Sequence, residues 1–200
     1  MTPRVAVLCS GRGSNMAALV QAARAPGYPA EISLVLTDKA DAPALELARS
    51  LGVTAEAVPS KPFGRDREAH ERALDARLRA AAIEIVCLAG YMRILTPWLV
   101  GQWAGRMLNI HPSLLPAYPG LDTHARALAA GDAEHGCSVH LVTPELDAGP
   151  VLGQARVPVL AGDTEASLQA RVLAEEHRLY AEVLAGFAAK IRLPERAAGT

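Results

Sequence analysis

Three observations predict that the chain folds as one α/β domain of three layers. Through the first half, short apolar runs alternate with longer amphipathic ones, the pattern of right-handed βαβ units and a parallel sheet covered on both faces. Two later apolar runs, 137–142 and 151–157, are joined by a proline- and glycine-rich excursion over 144–150, which makes the second half a mixed sheet closed by a hairpin. Half of the 200 residues are hydrophobic, ample for a single sizeable core.

The elements follow in order. Residues 5–9 read as a buried strand, followed by Gly11-Arg12-Gly13 and a helix from about 14 to 24. A second strand over 32–36, a helix over 42–51 and a shorter strand over 53–58 continue the alternation. The helix expected over 65–82 carries Leu74, Leu78 and Ala81 on one side at three- and four-residue spacing, and 83–88 is the most apolar strand. After a short helix at Pro97, Met107-Leu108 leads into a strand carrying Asn109 and His111, then a proline-rich loop reaches Gly120. Asp122 is a suitable N-cap for a helix to about 130. The hairpin strands come next, then a long helix over 164–187, and residues 193–200 are expected to fray. No repeat or linker splits the chain.

Composition excludes several functional classes. The net charge is −1 and the basic residues are spread along the chain, which offers neither nucleic acid nor a membrane surface an electrostatic partner. No run approaches the ~20 apolar residues of a membrane span. Cys9, Cys87 and Cys137 are odd in number and read as reduced core thiols of a cytoplasmic protein. No Gly-x-Ser-x-Gly elbow is present. His135, Cys137 and His140 cluster along one strand without zinc spacing, so no metal is expected.

Five segments carry chemistry. Residues two apart on an extended backbone share a side, so Asn109 and His111 can aim an amide donor and a titratable imidazole at one point. That pairing suits a transition state with oxyanion charge and a proton to move. The loop Ser10-Gly11-Arg12-Gly13-Ser14-Asn15 lies between strand and helix, where free backbone N–H groups bind anions. It lacks the Gly-Lys-Ser/Thr of a Walker loop, and Met16 stands in place of the third glycine of a dinucleotide fingerprint. A phosphate monoester is the favoured ligand, with a dinucleotide (Asp38 as its ribose acid) or a plain tight turn as the alternatives. Gly90 to Pro97 opens on the same rim, its Met92, Ile94 and Leu95 lining a slot for a flat ligand or plugging the core. Asp147 is a candidate partner for His111, or a turn-capping residue. Glu176 falls inside the apolar stripe of the last helix. A carboxylate there needs a partner, either a structural cation or sugar hydroxyls.

These segments together resemble the folate-dependent formyltransferases, over nearly the whole chain. The motifs are the Gly11–Asn15 loop, AGYMRILTP, NIHPSLLP followed by YPGLDTH, GCSVHLVTPELDAGPV and the EEH of the last helix. The GSN loop and YPGL narrow the resemblance to the glycinamide ribonucleotide branch. It implies a Rossmann-like formyltransferase fold occupying residues 1–192, with a phosphoribosyl-binding half (1–100) and a catalytic, folate-binding half (101–192). It implies catalysis by Asn109, His111 and Asp147. The phosphoribosylglycinamide site maps to Gly11, Arg12, Gly13, Ser14, Asn15 and Glu176. The folate site maps to Arg67, Met92, Arg93, Ile94, Leu95, Asn109, Thr143 and Asp147. The implied reaction moves the formyl group of 10-formyltetrahydrofolate, as co-substrate and without metal, to the amine of 5-phosphoribosylglycinamide. Small molecules are the only implied partners, and the protein is expected to be a monomer or weak homodimer. The related reactions on methionyl-tRNA and on water call for a further RNA-contacting or N-terminal regulatory domain, and the chain is read as having neither.

Overall fold

A computed structural model describes residues 2–191; the frayed tail expected at 193–200 lies outside the described residues. Strands β1 (Arg4–Cys9), β2 (Glu31–Thr37), β3 (Thr54–Ala57), β4 (Ile85–Leu88), β5 (Met107–His111), β6 (Glu134–Leu141) and β7 (Val151–Pro158) form one sheet in the order β3-β2-β1-β4-β5-β6-β7. The first five strands in that order are mutually parallel, while β6 runs antiparallel to β5 and β7 to β6. The mixed second half and its hairpin are therefore as expected, and the sheet runs unbroken through both halves.

Alternation along β1 builds the two cores, because successive side chains leave opposite faces of a strand. Val5, Val7 and Cys9 pack with helices α1 (Ser14–Ala23), α2 (Pro43–Ser50) and α6 (Glu165–Lys190), through Met16, Leu19, Leu45, Val172 and Tyr180. Ala6 and Leu8 pack on the other face with α3 (Arg67–Ala80) and α4 (Pro97–Gln102), through Leu74, Leu78, Leu99 and Trp103.

Several boundaries move for local reasons. Helix α3 starts at Arg67 because the Asp66 carboxylate accepts the Ala69 N–H at 2.9 Å. Strand β6 begins at Glu134, earlier than its apolar run, because His135 and Gly136 already pair with Val157 and Arg156. Asp122 does not cap α5 (Thr123–Ala130): its backbone is left-handed (φ 57°, ψ 33°) and its side chain makes no cap bond. A capping side chain needs an extended backbone to reach the free N–H groups of the first turn.

The sheet order creates the crevice. From β1 the chain winds outward through β2 and β3, then returns to β4 on β1's other side. Ligands of doubly wound folds bind at the carboxyl ends of strands where the winding reverses. Leu8, Leu88 and Asn109 lie in one row across β1, β4 and β5, so Asn109 stands level with the strand ends that open into the glycine loop and the Gly90 loop. Helix α6 is held behind this rim. A capping box between Thr164 and Ser167 fixes its start, and the Tyr180 hydroxyl lies 3.1 and 3.2 Å from the Leu88 and Leu108 carbonyls.

Candidate active site

The glycine loop is an open anion cradle. Gly13 precedes α1 in the left-handed region (φ 79°), and no side chain caps the helix. Its first-turn N–H groups thus remain free to meet an anion, which the helix dipole also favours. Ser14 is the first helical residue, not a cap. Gly11 has open space beside it, whereas a Cβ on Gly13 would lie 2.8 Å from the Ala44 Cβ and 3.0 Å from the Met16 Cε. Gly13 therefore serves packing against α2 as well as the turn.

Glu176 closes the far side of this cradle. It is only 7% exposed and accepts the Asn15 Nδ2–H at 2.7 Å, with no cation beside it among the described residues. Burial pushes its carboxyl above the ordinary value, against the pull of Asn15. Asn15 Oδ1 is buried with no protein partner. A carboxylate and an orphaned amide oxygen, both acceptors, thus sit near a helix N-terminus that attracts anions. That is a donor–acceptor set for a phosphorylated sugar, with phosphate on the N–H groups and hydroxyls on the oxygens.

Asp147 meets His111 directly and is linked to Asn109 through His140, whose Nε2 lies 3.1 Å from Asn109 Nδ2. Asp147 lies on the loop between β6 and β7, which folds back against its own hairpin; a Cβ on Gly149 would stand 1.8 Å from the Leu141 carbonyl oxygen. This brings Asp147 Oδ2 to 3.5 Å from His111 Nδ1 and Oδ1 to 3.6 Å from His140 Nε2. The Gly120 N–H donates to Asp147 Oδ2 at 2.9 Å. Asp147 itself is left-handed (φ 50°), a backbone that aspartate and asparagine tolerate better than other non-glycine residues. Burial works to raise its carboxyl, but contact with the His140 ring, the Gly120 N–H and the charge of His111 outweigh it and hold it below the ordinary value. His111 Nε2 lies 2.9 Å from the Tyr118 carbonyl; since a carbonyl only accepts, Nε2 carries a proton. Nδ1 faces the Asp147 carboxylate across 3.5 Å, close enough for attraction between charges but too long for a tight hydrogen bond.

The Gly90 loop supplies an apolar flank. Its Met92 N–H donates to Ser10 Oγ at 2.9 Å, and the Ser10 N–H to the Gly90 carbonyl at 3.1 Å, so this loop and the glycine loop share one rim. Met92 and Ile94 are 65% and 62% exposed and so do not plug the core, while Tyr91 and Leu95 pack on it. Arg67 Nη1 donates to the Ile94 carbonyl at 3.3 Å, and Glu71 accepts from the Thr96 N–H and hydroxyl, tying the loop to α3. Arg93 is half-buried in the same loop. Thr143 starts the Asp147 loop and donates to the Glu145 carbonyl at 3.2 Å. Arg12 is exposed beside the cradle.

Sequence reasoning missed two residues here. Tyr118 acts through its backbone carbonyl, which leaves no trace in residue type. His140 was weighed only as a metal ligand, yet it pairs with Asn109 across β5 and β6; only the register reveals it. His135 instead contacts His124 at 3.2 Å. Among the described residues no group of three His, Cys, Asp or Glu is placed to hold a metal ion. Burial pushes the thiols of Cys9, Cys87 and Cys137 each up to about 12, so they stay protonated and are not nucleophiles.

Fold and site together define a doubly wound α/β transferase, with an anion cradle and an amide–imidazole–carboxylate cluster on one rim. The chain belongs to the formyl transferase family, whose model matches residues 3–184. It is 48% identical over 195 residues to the phosphoribosylglycinamide formyltransferase of Escherichia coli K12, covering 97% of this chain and 92% of that one. The crystal structure of phosphoribosylglycinamide formyltransferase from Brucella melitensis superposes with a TM-score of 0.90 at 52% identity, over 96% of this chain and 99% of that one. The human trifunctional purine biosynthetic protein adenosine-3 is 43% identical over 181 residues, which is 90% of this chain but 18% of that protein.

Proposed function

We propose that the chain transfers the formyl group of 10-formyltetrahydrofolate to the amine of 5-phosphoribosylglycinamide, a step of de novo purine biosynthesis. The clustering of Asn109, His111 and Asp147 on the rim that also carries the glycine loop carries this reading. In the reaction the amine nitrogen bonds to the formyl carbon and gives up a proton, the carbon's bond to the folate nitrogen breaks, and that nitrogen takes a proton. Asn109 Nδ2–H and His111 Nδ1–H donate to the oxyanion. At 3.5 Å from Asp147 the His111 Nδ1–H makes no tight hydrogen bond, which leaves it free for the substrate while the carboxylate's negative charge stays close. Asp147 stabilises the imidazolium and helps pass a proton to the leaving nitrogen. The α1 N–H groups and Ser14 hold the phosphate, and Asn15 with Glu176 the ribose. Met92 and Ile94, with Arg67, Arg93, Leu95 and Thr143, flank the folate. A cytoplasmic location is part of this proposal; among the described residues no helix is long and apolar enough to cross a membrane.

Formyl transfer from 10-formyltetrahydrofolate is the test, with glycinamide ribonucleotide, water and methionyl-tRNA as competing acceptors. Glycinamide ribonucleotide should be preferred, and a preference for either rival overturns the reading. Activity should persist in excess chelator, because an amide, an imidazole and a carboxylate perform every step. Loss that zinc or magnesium restores would show otherwise.

Two binding predictions arise here. Ser14→Ala should weaken nucleotide binding and spare folate binding, as calorimetric titration of each ligand reads; equal losses would deny a separate phosphate site. Gly13→Ala should in addition lower the melting temperature, because its Cβ meets Ala44 and its φ is positive.

Glu176→Gln should raise the nucleotide KM without lowering the melting temperature at neutral pH. The raised carboxyl contributes stability below the ordinary carboxylate range and loses it as pH rises through the folded value. Its neutral amide replacement avoids that loss but accepts hydroxyls less strongly. A large fall in melting temperature would make Glu176 a structural residue instead.

A further inference from the structure

The protonation pattern around His140 is constrained from two sides. Its Nδ1 lies 2.9 Å from the Leu141 carbonyl; a carbonyl only accepts, so Nδ1 carries a proton. Its Nε2 lies 3.1 Å from Asn109 Nδ2; an amide nitrogen only donates, so Nε2 presents a lone pair. The ring in this arrangement is neutral and fixed in one tautomer. Asp147 Oδ1, at 3.6 Å from Nε2, is beyond hydrogen-bond reach, so the amide is the shorter and decisive contact. His140 is buried at 2% exposure, and β6 holds it directly opposite Asn109.

An asparagine amide is close to symmetric in shape, and its two orientations differ by the exchange of oxygen and nitrogen. On β5 alone nothing distinguishes them. The His140 lone pair does: it accepts one Nδ2–H and leaves the second free. Were oxygen and nitrogen exchanged, two acceptors would face each other in a buried site, a loss of one hydrogen bond together with desolvation of both atoms. An oxyanion needs a donor already aimed before reaction.

We propose that His140 is a positioning residue that fixes the orientation of the Asn109 amide, so that its remaining Nδ2–H faces the formyl oxygen. This rests on Asn109 acting as an oxyanion donor. His140 touches no reacting atom and works through Asn109 alone.

The tests use His140→Leu, which removes the acceptor, and His140→Gln, whose amide oxygen takes the place of Nε2. His140→Leu should lower kcat by about 10- to 10²-fold, the scale of a misaimed group, with the KM of both substrates nearly unchanged. His140→Gln should restore most of that loss. In an Asn109→Ala background His140→Leu should cost nothing further, since the group it aims is gone. NMR of the Asn109 side-chain amide supplies a readout independent of turnover: one Nδ2 proton should be hydrogen-bonded in the wild type and in His140→Gln, and neither in His140→Leu. Normal kcat in His140→Leu, a loss confined to KM, a His140→Gln variant as impaired as His140→Leu, or a further tenfold loss over Asn109→Ala would each overturn the proposal. If His140→Leu fails to fold, His140→Gln and the amide spectrum decide. Failure of the wild type to formylate glycinamide ribonucleotide would instead refute the proposed function, which the amide spectrum does not test.

Discussion

Asp147→Asn is expected to reduce turnover by at least about 10²-fold, the lower bound of what positioned acid–base assistance contributes, while both substrates bind nearly as before. Asparagine keeps the shape, tolerates the left-handed backbone at position 147 and can still accept the Gly120 N–H. What it removes is the negative charge 3.5 Å from His111 Nδ1, which offsets positive charge on that ring as it meets the oxyanion. Because the three residues act as a unit, His111→Ala added to Asp147→Asn should cost far less than the product of the separate losses. Steady-state kinetics of the two single variants and the double variant check this. Near-normal turnover of Asp147→Asn, or fully multiplicative losses, would dissolve the partnership. Acid stability offers a second check. The folded Asp147 carboxyl lies below its ordinary value, so it contributes stability above the ordinary carboxylate range that disappears as pH falls through the folded value. The variant should lose less stability than the wild type over that acid range.

Asn109→Ala is the other large effect, with an expected fall in kcat of about 10²- to 10³-fold, the scale of one oxyanion donor. Its strand is well anchored: Leu108 and Ile110 are buried on the opposite face, and the backbone ladder to β4 and β6 does not involve the amide. The melting temperature should therefore fall little. The variant also frees the His140 lone pair, so part of any stability loss belongs to that buried nitrogen. Single-turnover measurement separates the chemical step from product release. A variant whose loss lies in KM with kcat intact would make Asn109 a binding residue only.

Local pattern carried much of this protein. The apolar run at 5–9, the alternation at 109–111 and the helical spacing of Leu74 and Leu78 are properties of neighbours in sequence, and they set the strands, the helices and the parallel first half. The same locality placed Asn109 and His111 on one side of β5. The glycine loop was recognisable because a free helix N-terminus depends on the few residues around it, and Glu176 stood out because one charge interrupted an apolar stripe. Asp122 failed for the complementary reason. Its residue type fits a cap, but the loop that clasps His111 and Asp147 imposes a left-handed backbone there.

What tertiary structure decided is the convergence. Asp147 reaches His111 across 36 positions of sequence only because the β6–β7 loop folds back closely enough to exclude a side chain at Gly149. His140 faces Asn109 only because β5 and β6 pair antiparallel in one particular register; a slip of one residue would turn that ring to the other face. Asn15 meets Glu176 across the full length of the domain because α1 and α6 pack on the same side of the sheet. Each of these contacts depends on non-local pairing, and residue type records what a side chain can do chemically but not which distant partner it will meet.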